Sequence, residues 1–510
     1  MRTRDGRARR KADRQNEKLG LNPAYRLLTN PFTPHEMWSE DRIAAIHEAA
    51  LVILEDLGVR ILLDEARQIF ANAGAIIGDD MMVRIGRDMV EAALNTAPNS
   101  IPMNSPTPDR RIVFEQGALM FGAGAGCPNA TDRERGRRPG SLRDYRETVK
   151  LQHSFDAIHK LSPCAEPQDI PVHLRHYEMM RALLTLSDKT AFIYSRGREQ
   201  IEDCFEIIRL ARGLSEDEFL NNPWVTTVIN TNSPRQIDKP MAQGIIDFAR
   251  AGQVSVITPF CLAGAMAPIT VAGALTLQHA EALMAITLAQ LSRPGAPVLY
   301  GAFSSNVDMK SGAPAFGTPA HIQACLGSGQ LARYIDLPWR SASGAASNAA
   351  DGQGAQETAL SLWGAMMAGA TTIFHSAGWL EGGLTFGYEK FIVDMEAVQT
   401  LAELCTEPAS DPAAIAMDAI AEVQPGGHFF GAAHTMERYE NAFYKPIVAD
   451  LSNNGAWVES GSKTAEERAT AVWKQVLNDF EAPEVCAGVE DAIAPFIERR
   501  TKEGGAHPLD

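Results

Sequence analysis

From residue 118 onward the chain repeats one pattern: a short apolar run, a polar or glycine-rich turn, then a stretch with apolar residues at every third or fourth position. The runs span residues 118–122, 161–164, 190–195, 225–230, 254–260, 297–303, 338–343 and 371–376. Short apolar runs bounded by turn residues read as buried strands. The segments between them, among them 174–186, 200–211 and 275–291, carry helical periodicity. Eight strand candidates, roughly 30 to 45 residues apart and alternating with helices, predict an α/β fold of the TIM (β/α)8 barrel type. A doubly wound sheet is the structural alternative. Against it, no run is followed by G-x-G-x-x-G opening a helix with an acidic residue downstream.

The flanks read differently. Residues 38–58 predict a helix, with Ser39 as N-cap, Glu40 and Asp41 in the first turn, and Ile43, Ile46, Ala50, Ile53, Leu54 and Leu57 on one face. Gly58 stops it. With helical patterns at 64–73 and 86–96, residues 25–115 form a helical cap or dimerisation layer, which leaves self-association open. The barrel takes residues 116–405. Helical patterns at 389–404, 411–422, 464–480 and 486–501 predict that residues 406–510 pack on its outside. Residues 1–24 form a basic arm, flexible because it is Arg-rich and has almost no apolar side chains to bury.

Composition narrows the function. With 45% hydrophobic and 22% charged residues, the 510-residue chain reads as an ordinary globular protein. No uninterrupted run approaches the roughly 20 apolar residues of a membrane helix, and no signal segment follows the start, so the expected setting is the cytoplasm with no membrane partner. A net charge of −16 argues against nucleic acid as the partner, the basic arm being read as a solvated tail. Seven cysteines without C-x-x-C or a Cys/His cluster at zinc spacing predict free thiols and no bound metal.

In a barrel, the strand C-termini and the loops after them line the active site. Those positions hold Tyr194, Ser195, Asn230, Thr231, Asn232, Phe260, Phe303, Ser341, Ser343, His375, Trp379 and Glu381. They are poor in acids and bases and rich in hydroxyls, amides and aromatics, which suits a small cation. Alternatives stay open: Phe260 and Phe303 as barrel plugs, His375 as a satisfied core histidine, Glu381 in a loop salt bridge, and Gly382-Gly383 as the phosphate cradle of a phosphosugar enzyme. There is no G-x-S-x-G elbow and no H-E-x-x-H, so neither a serine hydrolase nor a zincin is supported.

Three stretches carry a resemblance. They are Ala49 through Val59 (AALVILEDLGV), Trp379-Leu380-Glu381-Gly382-Gly383 with Tyr388-Glu389-Lys390, and Pro425-Gly426-Gly427-His428-Phe429 with His434-Thr435. Together they resemble the trimethylamine methyltransferase family of corrinoid-dependent methyltransferases, over roughly residues 25 to 500. Gln424, where the family pattern has glycine, is a departure. The resemblance implies a TIM barrel whose mouth receives the cobalamin of a separate corrinoid protein. Members that demethylate trimethylamine carry pyrrolysine in a loop after the seventh strand; here the matching stretch, Ser341 to Asn348, holds ordinary small residues. Neutral trimethylamine can lose a methyl only by expelling an amide-like anion, whereas a quaternary ammonium expels a neutral amine. The expected activity is therefore methyl transfer from a quaternary amine, glycine betaine or a relative, to cob(I)alamin on the partner. The expected substrate-binding residues are Tyr194, Asn232, Phe260, Phe303, Trp379 and Glu381. His375 or Asn232 would take a carboxylate, and His375 and Ser343 are the candidate catalytic groups. A non-catalytic quaternary amine binding or sensor protein is the alternative.

Overall fold

Seven of the eight expected runs form parallel strands: β1 (Ala118–Phe121), β2 (Ala191–Phe192), β3 (Val225–Ile229), β4 (Val254–Ile257), β5 (Val298–Gly301), β6 (Trp339–Ala342) and β7 (Thr372–Phe374). The computed structural model describes residues 25–509, so the basic arm expected over residues 1–24 lies outside them. Along the sheet the order is β1-β7-β6-β5-β4-β3-β2, and the short antiparallel strand Leu28–Thr29 pairs with β1 to make eight. The pairing puts Thr226 beside Val254 and Arg340 beside Thr372.

The expected second strand, 161–164, is not a strand. The sheet curls, but its edges β1 and β2 meet only through isolated parallel bridges from Lys160 to Gly122 and to Thr190, so the ladder is not a closed ring. The local chemistry gives the reason. Pro163 has no N–H to donate. The Gln152 side chain takes both backbone groups of Ser162, accepting its N–H at 2.7 Å and donating to its carbonyl at 2.9 Å.

Helices cover the outside. Val271–Ser292, capped by Thr270, is long and apolar enough to cross a membrane by length and composition, contrary to expectation, but its most apolar window is 78% buried inside the fold. A helix buried on all sides is apolar on all sides. The N-terminal cap is mixed rather than helical. Its first helix, Glu40–Val52, ends in a π-helical turn (Ile53–Leu57) before Gly58 at φ 71°, with Ile43, Ile46, Ala50 and Leu54 buried and Leu57 exposed. The strand that follows, Val59–Ile61, pairs in parallel with Gln236–Ile237 and so stitches the cap to the loop after β3.

The region beyond residue 405 packs on the body only in part. Ala465–Asn478 lies against Tyr388–Leu404, and Thr470 and Trp473 both donate to the Glu389 carboxylate at 2.8 Å. Residues 407–462 are mostly exposed, Phe430 by 81% and Phe443 by 85%. The helix expected over 411–422 breaks at Ala416, which sits at φ 56°.

Candidate functional site

The C-terminal ends of the strands open onto a cavity of about 510 Å³. Tyr194 and Arg196 reach it from the loop after β2, Asn230 from the end of β3, and Phe260 and Phe303 from the turns after β4 and β5. Arg340 enters from within β6; Phe374, His375 and Trp379 come from β7 and its loop.

One aromatic wall dominates. His375 holds φ 57°, donates its backbone N–H to the Ala123 carbonyl at 3.2 Å, and accepts the Ala125 N–H on its ring Nδ1 at 3.2 Å. That fixes its ring against Trp379, with centroids 4.4 Å apart and planes 18° apart. Trp379 Nε1 in turn donates to the Ala125 carbonyl at 3.1 Å. Gly344 and Gly383 flank the indole, and a Cβ on either would overlap it. Phe303 lies 5.0 Å from Phe260, 5.4 Å from His375 and 5.7 Å from Trp379 between ring centroids. Such tilted, offset contacts are favourable for aromatic pairs.

The wall is electrostatically quiet, the floor less so. Burial, then Arg340 and Lys160, hold the His375 imidazole well below its usual pKa, so it is neutral. Burial pushes the Tyr194 hydroxyl up, with the Glu166 carboxylate adding to the rise. It also pushes the Arg340 guanidinium down to about 9. The Lys160 amine falls well below its ordinary range for the same reason, with Arg340 beside it.

Of the residues expected from sequence, Tyr194, Phe260, Phe303, His375 and Trp379 line the cavity. Three do not. Glu381 is turned to Arg137, whose Nε and Nη2 both donate to the carboxylate, at 2.9 and 3.0 Å. Asn232 sits on an exposed turn and donates to Asp238 at 3.2 Å. Ser343 is fully buried and donates to the Thr358 carbonyl at 3.2 Å. The phosphate cradle also finds no support, since the Gly382 N–H is used by the Ala345 carbonyl and Gly383 makes room for Trp379. Among the cavity residues that the sequence reading missed, Arg196 and Phe374 included, the most informative is Arg340. Its signal was an arginine in an otherwise apolar and small-residue run.

The remaining motif residues build scaffold. Tyr388 donates to Asp144 and Glu147, and Lys390 meets Asp394 and Thr358. Pro425 through Phe430 and His434-Thr435 belong to the exposed stretch. Among the described residues no group of three His, Cys, Asp or Glu is arranged to hold a metal ion.

Residues 3–505 match the model of the Trimethylamine methyltransferase (MTTB) family. The chain belongs to this family. It is 32% identical over 487 residues to the glycine betaine methyltransferase of Desulfitobacterium hafniense strain Y51, which covers 95% of this chain and 99% of that protein. It is 27% identical over 473 residues to the trimethylamine methyltransferase MttB of D. hafniense strain DSM 10664 / DCB-2, covering 92% and 94%. The crystal structure of Methanosarcina barkeri monomethylamine methyltransferase (MtmB) superposes over 96% of this chain and 97% of its own with a TM-score of 0.46 and 10% identity, a likeness too distant to carry an argument. As an MTTB member the protein is a methyltransferase.

Proposed function

We propose that this MTTB member moves a methyl group from a quaternary amine, glycine betaine or a relative, to cob(I)alamin on a partner corrinoid protein. The observation that carries the reading is the aromatic wall of Phe260, Phe303 and Trp379, closed by a neutral imidazole. Aromatic faces attract an ammonium cation by about 0.5 to 2 kcal/mol each, the more so where water is excluded. Tyr194 completes the wall, and one face of its ring is already covered by Arg196 at 4.5 Å. Glu381, Asn232 and Ser343 are not carried forward, since their polar groups are engaged elsewhere.

The chemistry asks little of the protein in proton transfer. A quaternary ammonium leaves as a neutral tertiary amine, so no acid or base is required. When bound, the corrinoid supplies the cobalt nucleophile. What the chain contributes is position: the ammonium head is held so that one N–CH3 bond points out of the mouth, in line for displacement. A cavity of about 510 Å³ has ample room for a small amine, and a methyl presented at its opening is within reach of a corrinoid docked there. For the scaffold we read a (β/α)8 barrel in which the Lys160 segment stands as the second strand, supported by its bridges to both sheet edges. The seven cysteines, all free, suit a reducing cytoplasm.

The test is spectral. The purified chain is mixed with cob(I)alamin kept reduced and a panel of glycine betaine, carnitine, proline betaine, choline and trimethylamine. Methylcobalamin is expected with a quaternary amine and not with trimethylamine. Absence of methylcobalamin with every compound, repeated with a corrinoid protein present, overturns the reading.

A further inference from the structure

One basic group, Arg340, lies on the floor of the cavity and a second, Lys160, lies behind the floor, with no acid to meet either. Arg340 is 2% exposed; its Nη2 lies 3.1 Å from His375 Nε2, while Nε and Nη1 have no partner. Lys160 is 1% exposed and its Nζ has no hydrogen-bond partner. Both sit on the Phe374 ring, Nζ 3.2 Å and the guanidinium carbon 4.6 Å from its centroid, and Phe374 and Arg340 both face the cavity. Among the described residues neither forms an ion pair with a carboxylate.

The contact with His375 is itself incomplete. Its Nδ1 accepts the Ala125 N–H, so in the neutral ring the proton is on Nε2, which then meets the Arg340 Nη2 donor to donor. An acceptor oxygen beside them would satisfy both. Buried basic groups are ordinarily paired, because leaving them alone costs their hydration without return. An unpaired arginine on the floor with an unpaired lysine behind it is built for an anion that arrives with the ligand.

We propose that Arg340, with Lys160 behind it and His375 beside it, seats a carboxylate of the substrate. The cavity then takes zwitterionic quaternary amines acid end first and leaves the ammonium methyls at the mouth. The orientation rests on the quaternary-amine reading above; the anion seat does not. A bare trialkylammonium meets only basic groups on this floor, whereas a zwitterion brings its own counter-charge.

Calorimetric titration of the full chain with three compounds tests this. Glycine betaine has both ends; tert-butylacetate keeps the carboxylate and puts carbon in place of the ammonium nitrogen; choline keeps the ammonium and lacks the carboxylate. Betaine and tert-butylacetate are expected to bind, and choline to bind far more weakly than betaine. Arg340→Met should weaken betaine and tert-butylacetate by about a hundredfold and leave choline unchanged, with Arg340→Lys recovering part of the loss. Choline binding the unaltered chain as tightly as betaine overturns the proposal, and so does an Arg340→Met chain that keeps its betaine affinity. The unaltered chain decides the first point even if the variant misfolds. Bound tert-butylacetate with no methylcobalamin from any amine would sink the methyltransfer reading and leave the seat standing. Methyl transfer from choline as readily as from betaine would do the reverse.

Discussion

Lys390 and Lys160 are each almost wholly hidden from solvent, one on the helix that follows β7 and the other between the two edges of the sheet. Around Lys390 every polar atom is answered. Its Nζ meets Asp394 one turn along and Thr358 Oγ1 at 2.7 Å, and the second Asp394 oxygen accepts the Gly378 N–H at 2.9 Å. Burial pushes the lysine down and the aspartate up, as it does for any ion taken out of water, and their mutual attraction opposes both shifts. Lys160 has the face of Phe374 and nothing more. The same residue type at the same depth is thus complete in one place and incomplete in the other. The rim of the molecule sides with Lys390, since Arg135 and Arg138 are both paired with Asp132 and Asp144. Pairing therefore separates scaffold from site where burial does not.

The largest expected effect tests the complete member of the comparison. Asp394→Asn strands Lys390 in the core without a carboxylate, and removing one partner of a buried pair costs about 3 to 5 kcal/mol. Denaturant melts should show that loss. Lys160→Met removes an unpaired group and should leave stability unchanged or raise it. If Lys160→Met proves the more damaging of the two, the distinction between scaffold and site collapses.

A middling effect sharpens the division of labour inside the cavity. Trp379→Leu removes the indole that stacks on His375, and about 2 kcal/mol of cation–π attraction corresponds to roughly a thirtyfold loss of affinity. The loss should fall on glycine betaine and largely spare tert-butylacetate, the opposite of an Arg340 substitution, which strikes both. Titrations in which the two ligands weaken equally would mean that Trp379 fills volume rather than reading charge.

Much of this was legible in the sequence, and the failures are instructive. Seven strands stand where apolar runs predict them, because a strand covered on both faces leaves a continuous apolar signature. The eighth failed because a distant side chain, Gln152, claims the backbone that pairing needs, and no local pattern reports that. Tyr194, Phe260, Phe303, His375 and Trp379 reach the cavity because strand ends deliver side chains to one place. Asn232 and Ser343 miss it because a turn and a buried backbone carbonyl hold them. Arg340 escaped because it lies inside the strand run rather than at its C-terminal end, where the site residues were sought, and a single arginine there reads as an exception to the pattern.

Glu381 gives the smallest expected effect. It stands two residues after Trp379, and an indole beside a carboxylate is what an ammonium ion attracts, so the local sequence favours it as a cation ligand. The fold sends the two side chains apart. Glu381 sits at φ 55°, and its carboxylate faces Arg137, which is half-exposed on the rim, while the indole turns inward. A rim pair of that kind contributes little, because water screens it and two long side chains must be held still. Glu381→Gln should therefore change the affinity for glycine betaine by less than about twofold, as read by the same titration. A large loss would mean that the carboxylate swings from Arg137 to the ligand, and the cavity would then bind its ammonium by charge pairing at the rim as well as by its aromatic wall.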